Sequence, residues 1–140
     1  MATKTFTTFV QLEGMINQCI TRAVGEASNI LLSKLQEYVM EDYYNLLKPE
    51  VYSRTMQFYD SAKAQLLSAN SAQIYMDVDS MSYGSYWDGE TQLFMADAGF
   101  HGNVSIFREG YFWKDFLAYC DANAIKILKV ELKKQGLNVK

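Results

Sequence analysis

The stretch FVQLEGMINQCITRAVGEASNILLSKLQEYV, residues 9–39, decides the fold. Its apolar side chains fall at Phe9, Leu12, Ile16, Ile20, Ala23, Ala27, Leu31, Leu35 and Val39. That three-and-four spacing gathers them on one face of a helix. Thr7 or Thr8 can cap its start by accepting a hydrogen bond from an orphan amide, and Pro49 sets its end near Lys48. A helix over about residues 8–48 would be roughly 60 Å long, while a compact chain of this size has a radius of gyration of about 14 Å. The helix therefore projects or breaks. Gly14 and Gly25 are the candidate weak points, each costing about 1 kcal/mol relative to alanine.

Downstream of Pro49, residues 50–61 read as two helical turns or an ordered loop. Ala62–Leu67 and Ala72–Asp79 flank Ser68-Ala69-Asn70-Ser71, and in the second run Ile74, Met76 and Val78 alternate with Tyr75, Asp77 and Asp79. The two-residue period predicts a half-buried strand, and the pair of runs a β-hairpin. From Ser80 to Gly102, Gly84, Gly89, Gly99 and Gly102 are spaced among Tyr83, Tyr86, Trp87, Phe94 and Phe100. This stretch is too long for an inert connection. Thr91–Met95 and Asn103–Phe107 read as strand candidates within and after it. Phe112, Phe116, Cys120, Ala124, Ile127 and Leu128 predict a closing helix over about 110–135, with Gly136 as its stop and Lys126, Lys129, Lys133 and Lys134 toward its C-terminal end. The expected architecture is a single α+β domain over residues 1–140. A long N-terminal helix (about 8–48) and a C-terminal helix (about 110–135) pack on a small antiparallel β-sheet, with the hairpin and aromatic loop at about 62–107.

The composition is that of a packed globular chain: 140 residues, 49% hydrophobic and 21% charged. Thirteen basic against sixteen acidic residues give a net charge of −3, so no basic field points to free DNA as the primary ligand. Cys19 and Cys120 stand far apart in apolar-periodic stretches and read as buried thiols rather than a disulfide. No continuous apolar h-region follows Met1 and no membrane-length apolar run occurs, so neither standard export nor a membrane span is expected. Phosphate-cradling and dinucleotide motifs are absent, and Gly84-Ser85-Tyr86-Trp87-Asp88-Gly89 has the wrong spacing for a serine nucleophile elbow. His101 is the one histidine, which leaves no second imidazole for a zinc site, and pairing it with Cys120 would need a thiol outside the core. Asp77, Asp79, Asp88 and Glu90 form an acidic group without the ligand order of a calcium loop. They read as a solvated strand face and turn, or as a surface for a basic partner. The expectation is no enzyme, no cofactor and no metal.

Ten tyrosines, eight phenylalanines and two tryptophans exceed what a core of this size requires, and tyrosine suits surfaces that are half dry and half wet. A protein interface accounts for the excess. The order of elements resembles the small neck and tail-completion proteins of long-tailed bacteriophages. The residues that carry the likeness are Tyr52-Ser53-Arg54-Thr55 with Phe58 and Ser61, then Gly84, Tyr86 and Gly89, then Phe112 with Phe116. Met56 stands where that family often has a glycine. The resemblance implies a structural subunit of a sixfold or twelvefold ring between the portal-bound connector and the tail tube, with DNA passing through the lumen without sequence-specific binding. It places the protein in the virion neck or tail, and in the host cytoplasm during assembly. Tyr83, Tyr86 and Trp87, with Asp77 and Asp79, would be interface residues, and Arg54 a structural tie to a carboxylate or carbonyl. The competing expectation is a small acidic inhibitor that binds a single host partner through Asp77, Asp79, Asp88, Glu90 and the neighbouring rings.

Overall fold

The computed structural model describes residues 5–44, 56–81, 88–98 and 111–140. The fold is α+β, as expected. The elements are α1 (Phe9–Asp42), α2 (Gln57–Asp60), β1 (Ala62–Ser68), β2 (Ser71–Met76), a 3-10 turn (Val78–Ser80), α3 (Gly89–Asp97) and α4 (Phe112–Lys134).

α1 starts where its cap dictates. Thr8 has extended backbone and its hydroxyl accepts from the Gln11 amide at 3.2 Å, while Gln11 Oε1 accepts from the Thr7 amide and hydroxyl at 3.1 and 3.0 Å. This is a capping box displaced by one residue, satisfying donors that the first turn leaves orphaned. The helix runs unbroken through Gly14 and Gly25, at neither of which would a Cβ meet a neighbouring atom. Of the two expected outcomes, a break and a long continuous rod, the rod is the one formed. Its 34 residues correspond to about 50 Å.

α1 ends at Asp42 rather than near Lys48. Tyr43 leaves helical geometry, and its ring meets Phe58 at 4.7 Å and Tyr44 at 5.1 Å. Burial of Tyr44 in the core overrides the local helical pattern. Of the expected segment 50–61, one turn of helix, α2, is described. It is entered through Met56 in the left-handed region at φ 61°.

β1 and β2 pair antiparallel from Ala62↔Met76 to Ser68↔Ser71, with a bulge that leaves Leu67 without a partner. The tip closes through the hydroxyls of Ser68 and Ser71, 2.6 Å apart. Thr21 on α1 donates its hydroxyl to the Ala69 carbonyl at this tip, at 2.6 Å. Seven strand residues span about 23 Å, and about sixteen helical residues cover the same length. The hairpin therefore lies along α1 from Thr21 to the neighbourhood of Leu35 and Val39. The second strand stops at Met76, short of the expected Asp79, because the Ser80 amide and hydroxyl both donate to the Asp77 carbonyl and fold the chain into the 3-10 turn.

Thr91–Met95, expected as a strand, lies inside α3. Asp88 caps this helix by accepting from the Thr91 amide at 2.7 Å, Glu90 sits in its first turn where a carboxylate suits the dipole, and Ala96 is fully buried on its inner side. A Cβ at Gly89 would overlap the Val78 carbonyl, so only glycine lets the start of α3 lie against the 3-10 turn. The 103–107 strand candidate lies outside the described residues.

α4 runs antiparallel to α1: Cys19 lies 3.7 Å from the Gln135 carbonyl at one end, and the Tyr38 and Tyr119 rings meet edge-on at 6.4 Å toward the other. It closes as expected at Gly136, with φ 88°. The Gly136 amide donates to the Lys133 carbonyl and the Leu137 amide to the Leu132 carbonyl, a Schellman motif. Leu35, Val39, Tyr44, Phe58, Ala62, Met81, Ala96, Phe112 and Phe116 form the core where α1, α2, the hairpin, α3 and α4 converge.

Candidate functional site

The same convergence leaves a groove of about 540 Å³ on its outer side. Ile74, Met76 and Val78 supply one wall, Leu93 and Phe94 of α3 the opposite wall, and Phe112 and Trp113 at the start of α4 the end. Tyr75 lines the groove too, between Ile74 and Met76 on β2, and on α3 Ala96 is buried while Phe94 remains 71% exposed at the rim. Trp113 is held against Phe116 at 5.6 Å, and Phe112 against Phe58 at 5.3 Å. Gln92 donates to the Tyr43 hydroxyl at 2.7 Å, which ties α3 to the end of α1.

One carboxylate, Glu90, lines this apolar surface; Asp79 is exposed next in sequence to the lining residue Val78, and Asp88 is exposed at the start of α3. The Thr91 hydroxyl and then its amide hold the Asp88 carboxyl below the usual carboxylate range. Asp77 is half-buried and structural: its amide donates to the Ser61 carbonyl at 2.7 Å, and its own carbonyl accepts from Ser80. Of the expected interface residues, Asp79 is exposed and follows the groove-lining Val78, and Asp77 makes backbone hydrogen bonds. Tyr83, Tyr86, Trp87, Arg54 and His101 lie outside the described residues. The strand expected at Thr91–Met95 hides the groove wall at Leu93 and Phe94, which α3 forms. Asp88 followed at three residues by Thr91 was the signal that could have corrected it.

An acidic pair sits between the helices. Asp42, at the end of α1, has a buried Oδ2 with no hydrogen-bond donor among the described residues, and Asp115 of α4 faces it. Burial first, then hydrogen bonding and repulsion from Asp115 and the charge of Glu41, push the Asp42 carboxyl up to about 6. Two ionised carboxylates have only acceptors to offer one another, so a proton is what allows them to bond.

Cys19 and Cys120 are free thiols, the first buried and the second half-buried. Burial and then the Asp121 charge push the Cys120 thiol up, which keeps it from acting as a nucleophile near neutral pH. Among the described residues no three His, Cys, Asp or Glu side chains converge to hold a metal ion, and no helix is long and apolar enough to cross a membrane. What the groove can do chemically is bind: it offers an apolar floor for aliphatic side chains and, at Glu90, a carboxylate for a cation. The chain matches no family model, no curated protein and no solved structure.

Proposed function

We propose that the chain is a structural assembly subunit, of the kind that forms the ring joining head to tail in long-tailed bacteriophages. The observation that carries this reading is the groove between β2, α3 and α4, whose apolar floor and exposed Asp79, Asp88 and Glu90 suit a protein surface. The order of elements supports the phage setting: long helix, hairpin and closing helix follow one another as the resemblance implies, and Phe112 and Phe116 are buried at the start of the last helix. In this role the subunits contact one another and the connector and tail-tube proteins, while DNA passes through the lumen. Carboxylates facing a lumen would not grip phosphates, which suits a channel through which DNA must slide. The reading places the protein in the virion neck or tail.

The test is electron microscopy of particles produced from the parent genome with an early stop codon in this reading frame. DNA-filled heads beside unattached tails are the expected result. Normal virions in normal yield would overturn the head-tail role. They would favour the inhibitor reading, in which Asp79, Asp88 and Glu90 meet a basic host protein.

A further inference from the structure

Charge divides this molecule along its length. Residues 77–97 contain five carboxylates and no lysine, arginine or histidine, whereas residues 126–140 contain five lysines and one glutamate. Val78, Glu90, Leu93 and Phe94 of the first segment line the groove. The second is the C-terminal part of α4 and the tail that follows it.

α4 shows two faces. Phe116 and Glu131 are buried against α1. On the opposite side Ala118, Ala122, Ile125, Lys129 and Lys133 recur at steps of four and three, every one of them exposed, with Lys126 beside them. Ile125 is 70% exposed in the middle of this face, and no described element covers it. Small residues, one aliphatic knob and three flanking lysines make a helix face of the type that lies in an apolar groove with an acidic rim.

The groove and the lysine face cannot meet within one chain. Trp113, at the start of α4, lines the groove, whereas Lys126 and Lys133 lie about 20 and 30 Å further along the same rigid helix.

We propose that the exposed lysine face of α4 from a second copy of this chain docks in the apolar groove between β2, α3 and the start of α4. Ile125 of the incoming helix enters the floor lined by Ile74, Leu93 and Phe94, while Lys126 and Lys129 meet Asp79 and Glu90. The contact joins two different patches, so repetition closes a ring where the rotation per step divides a full turn, and reciprocal exchange makes a twofold dimer. The choice of a second copy as occupant rests on the assembly reading above and deepens it by naming the surfaces.

The test uses the full chain in sedimentation velocity at about 0.1 M and about 1 M salt, where the screening length falls from about 10 Å to about 3 Å. The wild type is expected to self-associate at the lower salt, about tenfold more weakly at the higher. Lys126→Glu with Lys129→Glu, and separately Asp79→Lys with Glu90→Lys, should each be monomeric while keeping the wild-type circular dichroism spectrum. All four positions are exposed, so the substitutions leave the core alone. An equimolar mixture of the two variants should re-associate, since each supplies the partner that the other lacks. Ile125→Ser, which leaves the charges in place, should weaken association about tenfold as well. A wild type that stays monomeric at about 100 μM, charge variants that associate like the wild type, or a mixture that stays monomeric would each overturn the contact. The two readings fail separately. Normal virions from the stop-codon genome beside salt-sensitive pairing remove the head-tail role and leave the contact. Unjoined heads beside a monomeric wild type do the reverse.

Discussion

Between Leu35 and Asp42, α1 packs against rings, with Phe58, Tyr44 and Phe112 gathered around Leu35 and Val39. Between Cys19 and Ala27 its buried residues are Cys19, Ala23 and Ala27, small side chains that let α1 and α4 approach closely. The same helix is therefore held at one end by volume and at the other by proximity. A fully buried Leu or Phe removes far more apolar surface from water than an Ala, at about 1.5–3 kcal/mol each. The ring-packed end thus anchors the fold and carries the groove on its outer side, while the thin end, where α1 meets the hairpin tip and the C-terminal part of α4, presents the lysine face.

The largest break in this contrast is Phe112→Ala. It removes a fully buried ring from the anchor and should cost about 3–5 kcal/mol in urea denaturation. A loss below about 1 kcal/mol would mean that the anchor does not depend on its rings. At the thin end the opposite error should hurt: Ala23→Leu puts bulk where nothing is exposed and forces the helices apart, at about 1–3 kcal/mol. If Ala23→Leu is neutral, proximity is not what holds the thin end.

Asp42→Asn sharpens the comparison at the junction of α1 with α4. The Asp42 carboxyl lies at about 6 in the folded protein against 3.8 for an ordinary aspartate, so the folded state binds more proton between these values. Stability from this group is greatest below about pH 4 and is lost as pH rises through about 6. Asp42 is only half-buried, and screening by water reduces the effect to about 1 kcal/mol. The asparagine variant should therefore be more stable than wild type by about 1 kcal/mol at pH 7.5 and indistinguishable from it near pH 4. Equal stability at both pH values would show that neither burial nor Asp115 raises the Asp42 carboxyl. The smallest expected effect is Gly25→Ala, a gain of about 0.5–1 kcal/mol in thermal unfolding, because the helix is continuous there and the new methyl group meets no neighbour.

What could be read in advance is local. The three-and-four spacing from Phe9 to Val39, the cap at Thr8 and the glycine stop at Gly136 each describe forces acting within a few residues, and each is found in the fold; the hairpin forms too, but Ile74, Tyr75 and Met76 are equally half-buried, without the expected alternation. The misreadings lie where distant residues intervene. α1 ends early because Tyr43 and Tyr44 turn toward Phe58, more than a dozen residues away in sequence. β2 ends early at the Asp77–Ser80 hydrogen bonds, beside the point where Gly89 of α3 approaches the Val78 carbonyl. α3 was hidden by its aromatic and threonine content, which resembles a strand until the Asp88 cap is weighed. Of the expected interface residues, Asp79 was legible as exposed charge. The groove beside it was not, since it exists only where three separate elements meet.

The residues by themselves determined that this chain builds two amphipathic helices around a hairpin, because periodicity and capping depend on neighbours along the chain. Tertiary structure alone decided where α1 stops and that Ile74, Leu93 and Phe112 line one groove. Those outcomes depend on which surfaces meet in space, and no spacing along the chain encodes a meeting between segments tens of residues apart.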